Sequence, residues 1–243
     1  MTVLVMQLAG PLQAWGSAAR FARRTTESAP TKSGVVGLLA SALGRPRTAD
    51  LTDLATLRFG VRIDQRGTPV RDFQTAHRLG TGDALPVSER FYLADAVFVA
   101  AVQGPRDLVA ELDHALQHPG FLPYLGRRSC PPSRPIGLGL RDLDLVTTLN
   151  TEPWQASGWY RRQHNGALEG LIEVTGQDQP GDRDLAAQGR GRTTNTLRDQ
   201  PLSFDPDHRR YALRSVRTFP IQLPATATAQ PGEHDPTIAL RSQ

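Results

Sequence analysis

The order in which strand-like and helix-like apolar segments follow one another is the strongest constraint on the fold of this chain. Residues 2–8 form a nearly continuous apolar and β-branched run, which is typical of a buried strand. Residues 32–43 then carry a helical apolar face, with Thr31 or Ser33 as the N-cap and Gly44 after the last turn. These two segments predict a βα unit at the start of the chain.

The following segments continue this pattern. They are, in chain order, a short helix over 50–57, a strand over 58–63, a strand over 91–102 bent near Asp95, and an amphipathic helix over 105–116. The last strand has two candidates, residues 136–140 and residues 144–149. The resulting order predicts an α+β fold on the βαββαβ plan of ferredoxin-like or RNA-recognition-motif (RRM-like) domains.

The rest of the chain is rich in loop-forming residues. Residues 64–89 contain many Gly, Pro, Asp and Arg residues, which predicts an extended hairpin or a projecting loop. Beyond residue 150 the sequence predicts strands over 168–175 and 210–223, with a loop over 176–200 between them. We therefore expect three parts: an α+β domain over 1–145, a β-rich extension over 146–223 and a disordered tail over 224–243.

Arginine supplies almost all of the positive charge. The chain has 27 arginines, a single lysine (Lys32) and a formal net charge of +4. A GC-rich genome favours Arg codons, but a planar guanidinium also binds phosphates and stacks on bases, and composition does not separate these causes. The single cysteine, Cys130, excludes an internal disulfide and a Cys-cluster zinc site. Without a signal-peptide pattern or an apolar run near ~20 residues, a cytoplasmic protein is expected, not a membrane protein.

Positive and aromatic side chains cluster at three positions that are expected to be loops. These clusters are Gln13, Trp15, Arg20, Arg23 and Arg24 in the polar segment 9–30, Arg71 and Phe73 in the projecting segment, and Arg127 with Arg128 beside Gly126. Cations bind phosphates and aromatic faces stack on unpaired bases, so this composition suits single-stranded nucleic acid. The alternative for each cluster is a solvated surface, with Trp15 in the core.

The segment Pro30–Gly34 comes directly before a predicted helix. A phosphate-binding GxxxxGK(S/T) loop would need glycine at positions 26 and 31, and both are threonine. The helix start still offers free N–H groups and a partial positive charge beside Lys32 and the hydroxyls of Thr31 and Ser33. It is therefore a candidate for binding one phosphate of a polymer, and the alternative is ordinary helix capping.

Catalytic signatures are weak. His114 and His118 are four residues apart, but no acidic or Cys ligand lies at metal-binding spacing, so no metal or cofactor is predicted. Neither GxSxG nor a motif around Cys130 indicates a nucleophile. Metal-free RNA cleavage needs only a general acid and a general base, such as His77 with Tyr92 or Lys32, and the sequence does not bring these residues together.

Four segments in the first 140 or so residues have a common resemblance. They are LAGPLQAWG (8–16), PTKSGVVGLLASALG (30–44), RDFQT (71–75) and YLGRRSCP (124–131). Together and in this order they resemble the CasD family, the Cas-five subunit of type I-E CRISPR surveillance complexes, called Cascade. The remaining residues resemble that family only in length and in strand-like character.

The resemblance implies a ferredoxin-like palm over 1–145, a protruding β-hairpin thumb at about 64–89 and a β-rich C-terminal extension. It implies that the chain binds the 5′ handle of the CRISPR RNA, caps the backbone of CasC subunits and touches the large subunit CasA near the target DNA. The candidate RNA-binding residues are then Gln13, Trp15, Arg20, Arg23, Arg24, Thr31, Lys32, Ser33, Arg71, Phe73, Arg127 and Arg128.

Three hypotheses about function follow. The leading one is a non-catalytic RNA-binding structural subunit, because in type I-E complexes a separate subunit, CasE, cuts the precursor RNA. The alternative is a metal-independent endoribonuclease that uses His77 on the thumb, since relatives in another CRISPR subtype cut this RNA themselves. The third is a scaffold that binds only protein and whose charge reflects genome composition.

Overall fold

Two sheets form the framework of the protein. The structure, a computed structural model, describes residues 1–16, 23–164, 166–175, 185 and 193–222. The strands are β1 (Thr2–Ala9), β2 (Leu12–Gln13), β3 (Arg23–Arg24), β4 (Arg58–Gln65), β5 (Thr68–Gln74), β6 (Ser88–Ala94), β7 (Val97–Gly104), β8 (Gly137–Arg141), β9 (Leu168–Glu173), β10 (Thr193–Ser203) and β11 (Arg210–Ile221). The helices are α1 (Lys32–Ala42), α2 (Thr52–Ala55), α3 (Arg106–Gln117), α4 (Leu145–Thr151) and α5 (Gly158–Gln163).

The larger sheet has seven strands in the order β10-β11-β9-β4-β7-β1-β8. Every neighbouring pair in it is antiparallel, and β1 pairs along its whole length with β7, from Thr2 opposite Gly104 to Ala9 opposite Val97. This arrangement confirms the predicted α+β class. Strands β9, β11 and β10 extend the same sheet that β1, β4, β7 and β8 form, so the predicted extension continues the first domain's sheet.

Both faces of the central strands are buried. On one face, Leu4 and Met6 of β1 belong to a core cluster with residues of α1 and α3. On the other face, Val3 and Val5 pack in a second cluster that contains Leu149 of α4 and Trp154. Strands buried on both sides read as continuous apolar runs, which explains why β1 and β7 lack alternation.

A buried ion pair fastens the segment after β8 to this second face. The guanidinium of Arg62 donates to the carbonyl oxygens of Leu149 and Glu152 at 2.7 Å and to that of Pro153 at 2.8 Å. The same group pairs with Asp64 at 2.6 Å, and both side chains are fully buried. Burial raises the pKa of the Asp64 carboxyl, although Arg62 opposes this shift.

The smaller sheet is built around a long hairpin. Strands β5 and β6 pair from Thr68 opposite Ala94 to Gln74 opposite Ser88, and a bridge between His77 and Ala84 continues the hairpin toward its end. Strands β2 and β3 add to β6 on its other edge. The hairpin accounts for most of the segment 64–89, which the sequence predicts to be extended or projecting.

The single strand predicted over 91–102 is two strands that belong to different sheets. Strand β6 ends at Ala94 and β7 begins at Val97, and Asp95 between them has a φ of 56°. Of the two candidates for the last strand of the βαββαβ plan, Gly137–Arg141 is a strand. Residues 145–151 form α4, because Asp144 caps them by accepting from two backbone N–H groups.

The prediction of a loop over 176–200 is wrong for its described end, since residues 193–200 lie in β10. Residues 176–184 and 186–192 of that loop lie outside the described residues, as does the tail predicted over 224–243. Within the described ranges, no helix has the length and apolar character needed to cross a membrane.

Candidate nucleic-acid interface

A cleft of about 1980 Å³ lies between α1 with the residues that follow it, the residues after β2, the loop of residues 121–131 and the connection of β10 with β11. We call it the arginine cleft because seven arginines line it: Arg24, Arg45, Arg47, Arg127, Arg128, Arg198 and Arg209. Among the described residues that line it, Asp207 is the one acidic side chain. A concave surface with this charge attracts an anionic ligand.

Four of these arginines have side chains available for a ligand. These exposed residues are Arg47, Arg128, Arg198 and Arg209. Their guanidinium groups form no hydrogen bond or ion pair in the described part of the chain. Arg45, in contrast, pairs with Asp53 at 2.5 Å, and this hydrogen bond lowers the pKa of the Asp53 carboxyl. Exposed guanidinium groups of this kind bind phosphate oxygens in a bidentate manner.

Arg127 lines the cleft but is already bonded to the protein. Its guanidinium donates to the carbonyl oxygen of Phe91 at 3.1 Å and to that of Arg24 at 2.9 Å. Its Cζ atom also lies 4.7 Å from the ring centroid of Tyr92. Arg127 therefore connects β3 with β6, and of the predicted Arg127–Arg128 pair the exposed side chain is Arg128.

The turn that presents Arg128 depends on Gly126. Gly126 has a φ of 83°, and a Cβ atom there would lie 1.8 Å from the carbonyl oxygen of Ala14. The N–H of Ala14 donates to Leu125, so the segments 8–16 and 124–131 meet directly. Cys130 closes the turn through its backbone and is buried, which raises the pKa of its thiol.

Gln13 and Trp15 lie beneath this surface, not on it. Both side chains are fully buried, and the indole N–H of Trp15 donates to the amide oxygen of Gln13 at 3.0 Å. The amide nitrogen of Gln13 donates in turn to the carbonyl oxygens of Leu8 and Ala96. This corresponds to the alternative that places Trp15 in the core, so neither residue offers a face on which a base can stack.

The start of α1 is occupied by groups of the protein itself. Thr31 caps the helix by accepting from the N–H of Gly34 at 3.2 Å, and the backbone N–H of Lys32 donates to Asp199 at 2.8 Å. The Lys32 ammonium is buried and lies 3.0 Å from both carboxylate oxygens of Glu173. The structure therefore does not offer Lys32 to a phosphate, and Thr31 and Ser33 are also buried.

Three other predicted RNA-binding residues, Arg71, Phe73 and Arg23, lie outside the lining of the cleft. Arg71 and Phe73 are exposed on the β5–β6 hairpin, with the Arg71 Cζ atom 4.9 Å from the ring centroid of Phe73. Arg23 is exposed in β3, where its Cζ atom lies 5.3 Å from the ring centroid of Phe91. Arg20 lies outside the described residues.

The candidate acid–base residues are engaged separately. His77 is exposed near the end of the hairpin, with Nδ1 3.0 Å from the carbonyl oxygen of Gly82. Tyr92 lies under the guanidinium of Arg127, and Lys32 pairs with Glu173. Among the described residues, no hydrogen bond joins His77 to Tyr92 or Lys32, and no three His, Cys, Asp or Glu side chains form a possible metal site.

The sequence prediction missed the wall that β10 and β11 contribute, which we call the C-terminal wall. It adds Arg198, Phe204, His208, Arg209 and Tyr211 to the arginine cleft. Phe204 and Tyr211 lie with their ring centroids 6.3 Å apart. The one signal available in the sequence is the combination of these two aromatic residues with the doublet Arg209–Arg210.

Comparison with known proteins identifies the family. The family described as CRISPR-associated protein (Cas_Cas5) matches residues 3–217 of this chain. The chain belongs to this Cas5 family. The match continues through most of β11, so the family relationship extends beyond the first 140 or so residues that carry the four motifs.

Individual relatives agree with the Cas5 assignment. The Cascade subunit CasD of Escherichia coli (strain K12) is 37% identical over 158 residues, which are 56% of this chain and 70% of that protein. A chain of a CRISPR RNA-guided surveillance complex is 30% identical, covers 98% of both chains and has a TM-score of 0.75. A crystal structure of a Cas protein is 34% identical, covers 95% of this chain and 100% of its own, and has a TM-score of 0.69.

Proposed function

We propose that this Cas5 protein is an RNA-binding structural subunit of a Cascade-type CRISPR surveillance complex and that its arginine cleft holds the 5′ handle of the CRISPR RNA. The observation that carries the proposal is the meeting of three motif segments at the cleft. Residues from the segments 8–16, 30–44 and 124–131 line it together, and exposed arginines surround them. A row of cations in a concave surface suits a phosphate polymer.

The burial of the central sheet supports the choice of this cleft. An RRM binds RNA on the open face of its four-stranded sheet, through aromatic side chains that stack on bases. Here α4 and Trp154 cover the face of the central strands opposite α1 and α3. RNA is therefore directed to the edges and loops, where Arg47, Arg128, Arg198 and Arg209 are exposed.

The topology supports the finer description of the fold. The order β4-β7-β1-β8, with α1 and α3 as connections, is that of a ferredoxin-like βαββαβ palm. We assign the β5–β6 hairpin as the thumb, which carries the stacked pair of Arg71 and Phe73. Assembly is supported by the relative from Escherichia coli, which is a Cascade subunit, and by the matching chain of a surveillance complex. By resemblance, the partners are the CasC backbone and CasA, with target DNA nearby.

The test is retention of handle RNA by the assembled complex when one exposed arginine on each side of the cleft is removed. Arg128→Ala and Arg209→Ala each remove a guanidinium that has no partner within the described part of the chain. For single-stranded RNA, removing one phosphate contact lowers the slope of log K against log salt by about 0.7. We expect both variants to bind handle RNA more weakly and with a smaller salt slope than the unaltered chain.

Arg106→Ala is the matched control, because Arg106 lies on α3, outside the cleft lining, in an exposed pair with Asp142. We expect this variant to retain RNA with an unchanged salt slope. If Arg128→Ala and Arg209→Ala together behave like Arg106→Ala, the arginine cleft is not the handle site. If no RNA copurifies with the unaltered complex, the scaffold hypothesis replaces RNA binding.

A further inference from the structure

We propose that Lys32 is a positioning residue: it holds the C-terminal wall of the arginine cleft against α1 and thereby controls RNA binding without contacting RNA. Its partners are Glu173, Asp199 and Arg214, and we call the four residues the Lys32 network. The inference rests on the proposed function, because it assigns the network to the same RNA site.

The first connection joins α1 to the sheet. The Lys32 ammonium lies 3.0 Å from both carboxylate oxygens of Glu173, the last residue of β9, and the two side chains are 3% and 11% exposed. Glu173 also accepts from the backbone N–H of Phe59 in β4 at 3.1 Å. One carboxylate thus connects the first helix with two adjacent strands of the large sheet.

The second connection reaches the wall itself. Asp199 of β10 is fully buried and accepts from the backbone N–H of Lys32 at 2.8 Å. Arg214 of β11 binds the same carboxylate with two nitrogens, at 2.9 Å and 2.6 Å. Asp199 therefore fixes both strands of the wall to the start of α1.

The contact between Asp199 and the start of α1 affects the cleft, because Asp199 is the neighbour of Arg198 in β10. Residues 198 and 199 form a β-bulge in β10, between Leu197 opposite Arg214 and Gln200 opposite Ala212, and the buried contacts of Asp199 hold this bulge, which carries Arg198. Arg198 is exposed and lines the arginine cleft. The position of a cleft arginine is thus set by the buried contact one residue further along the strand.

Neutral contacts also support the wall, but we expect its attachment to depend most strongly on the charges of the network. Gln200 donates to the carbonyl oxygen of Ala55 at 2.8 Å, and Phe204 lies over Gly37 of α1. The four residues of the network are two cations, Lys32 and Arg214, and two anions, Glu173 and Asp199. A further buried cation, Arg58, donates to the backbone carbonyl oxygen of Glu173 at 3.3 Å and 3.4 Å. Removing one partner of a buried ion pair leaves a charge without compensation, whereas neutralising both partners is far better tolerated.

The difference between removing one charge and neutralising both partners predicts different results for two variants of the full chain in the assembled complex. Lys32→Met leaves the Glu173 carboxylate charged and without its ion-pair partner, at the position where β9 pairs with Val216 of the wall strand β11. We therefore expect faster amide hydrogen exchange over residues 193–203 of β10, which pairs with β11. Handle affinity should fall about tenfold, because the state with an ordered wall becomes a minor population. Lys32→Met with Glu173→Gln restores neutrality and retains an acceptor for Phe59, so exchange protection and affinity should largely recover.

The salt dependence separates positioning from contact. Lys32→Met should leave the slope of log K against log salt unchanged, whereas Arg128→Ala should lower it by about 0.7, the share of one single-strand phosphate contact. The inference is overturned if Lys32→Met lowers the slope as Arg128→Ala does while protection of β10 is unchanged. It is also overturned if the double variant is no better than Lys32→Met.

Two further readouts keep the outcomes separate. If Lys32→Met does not accumulate as folded protein, Glu173→Gln alone tests the network, since it removes one charge and keeps an acceptor for the N–H of Phe59. Unchanged hydrogen exchange over residues 193–203 in this variant would overturn the inference. Hydrogen exchange on RNA-free chain tests attachment of the wall whether or not RNA binds. The Arg128→Ala comparison tests the proposed function alone, so failure of one claim is recognised independently of the other.

Discussion

The backbone of Gly34 lies against the indole ring of Trp15 so closely that a Cβ atom at Gly34 would sit 2.7 Å from Cε3 of the ring. The ring cannot move away easily, because its N–H is bonded to buried Gln13 and the Trp15 backbone N–H donates to Thr26. Two of the motif segments, 8–16 and 30–44, thus meet by close packing. This contact sets the floor of the arginine cleft.

We predict that Gly34→Ala destabilises the protein although it lies in a helix. Replacing glycine by alanine in a helix normally gains about 0.5–1 kcal/mol, whereas overpacking a filled core costs about 1–3 kcal/mol. The cost of the clash with Trp15 should therefore exceed the gain in helix propensity, and the urea midpoint for unfolding of the purified chain should fall.

Gly37→Ala is the matched control in the same helix. A Cβ atom at Gly37 would lie 3.5 Å from the ring of Phe204, which is ordinary van der Waals contact. We expect this variant to gain about 0.5–1 kcal/mol through the helix propensity of alanine. Equal midpoints for the two variants would show that the Gly34–Trp15 contact is not close in solution.

Strong periodicity made part of the fold predictable. The segments predicted over 2–8, 32–43, 58–63 and 105–116 agree with β1, α1, β4 and α3 to within two residues at each end. Strand β10 was not recognisable, because it is an edge strand with the polar sequence TTNTLRDQPLS. Its pairing with β11 is set by tertiary contacts that no local pattern reveals.

The sequence predicted which residue types the site contains, but it did not predict the burial or the partners of their side chains. The sequence marks Lys32, Arg127 and Arg128 as cations near turns or a helix start. Of these three, only Arg128 is exposed and has no side-chain partner among the residues that the structure describes. The carboxylate that pairs with Lys32 belongs to Glu173, which lies 141 positions away in the sequence. Long-range pairing of this kind follows from the order of the strands in the sheet, which no local sequence pattern determines.

Arg62→Met should destabilise the protein strongly, by about 3–5 kcal/mol, because it leaves the Asp64 carboxylate buried without its partner. Three backbone carbonyls of the segment 149–153 also lose their donor. Urea unfolding at pH 7 measures the loss. Arg66→Met is the control: Arg66 forms an exposed pair with Glu169, so its loss should cost less than about 1 kcal/mol.

The same variant should show a distinct pH dependence. Burial raises the pKa of Asp64 in the folded state, and removing Arg62 removes an opposing effect. A carboxyl with a raised folded pKa binds protons better when folded, so lowering the pH favours the folded state. The loss caused by Arg62→Met should therefore be smaller at pH 5 than at pH 7, and an equal or larger loss at pH 5 would contradict a buried Asp64 charge.

Cys130 should be nearly inert in the native protein. Its side chain is fully buried and its thiol pKa is raised by that burial, so little thiolate forms and little reagent reaches it. Since it is the single cysteine of the chain, absorbance of released thionitrobenzoate at pH 8 reports on this site alone. We expect slow labelling in native buffer and rapid labelling in urea; rapid native labelling would mean that the turn 124–130 opens readily.

The purified chain should leave CRISPR repeat RNA intact in the presence of EDTA. His77 is exposed near the hairpin end beside Gly82, whereas Tyr92 packs under Arg127 and Lys32 is paired with Glu173. A general acid and a general base must both reach the scissile phosphate, and these groups are engaged at separate places. Gel analysis of end-labelled RNA should therefore show the same intact band for the unaltered chain and for His77→Ala. A specific cut made by the unaltered chain and absent with His77→Ala would instead establish a metal-independent endoribonuclease.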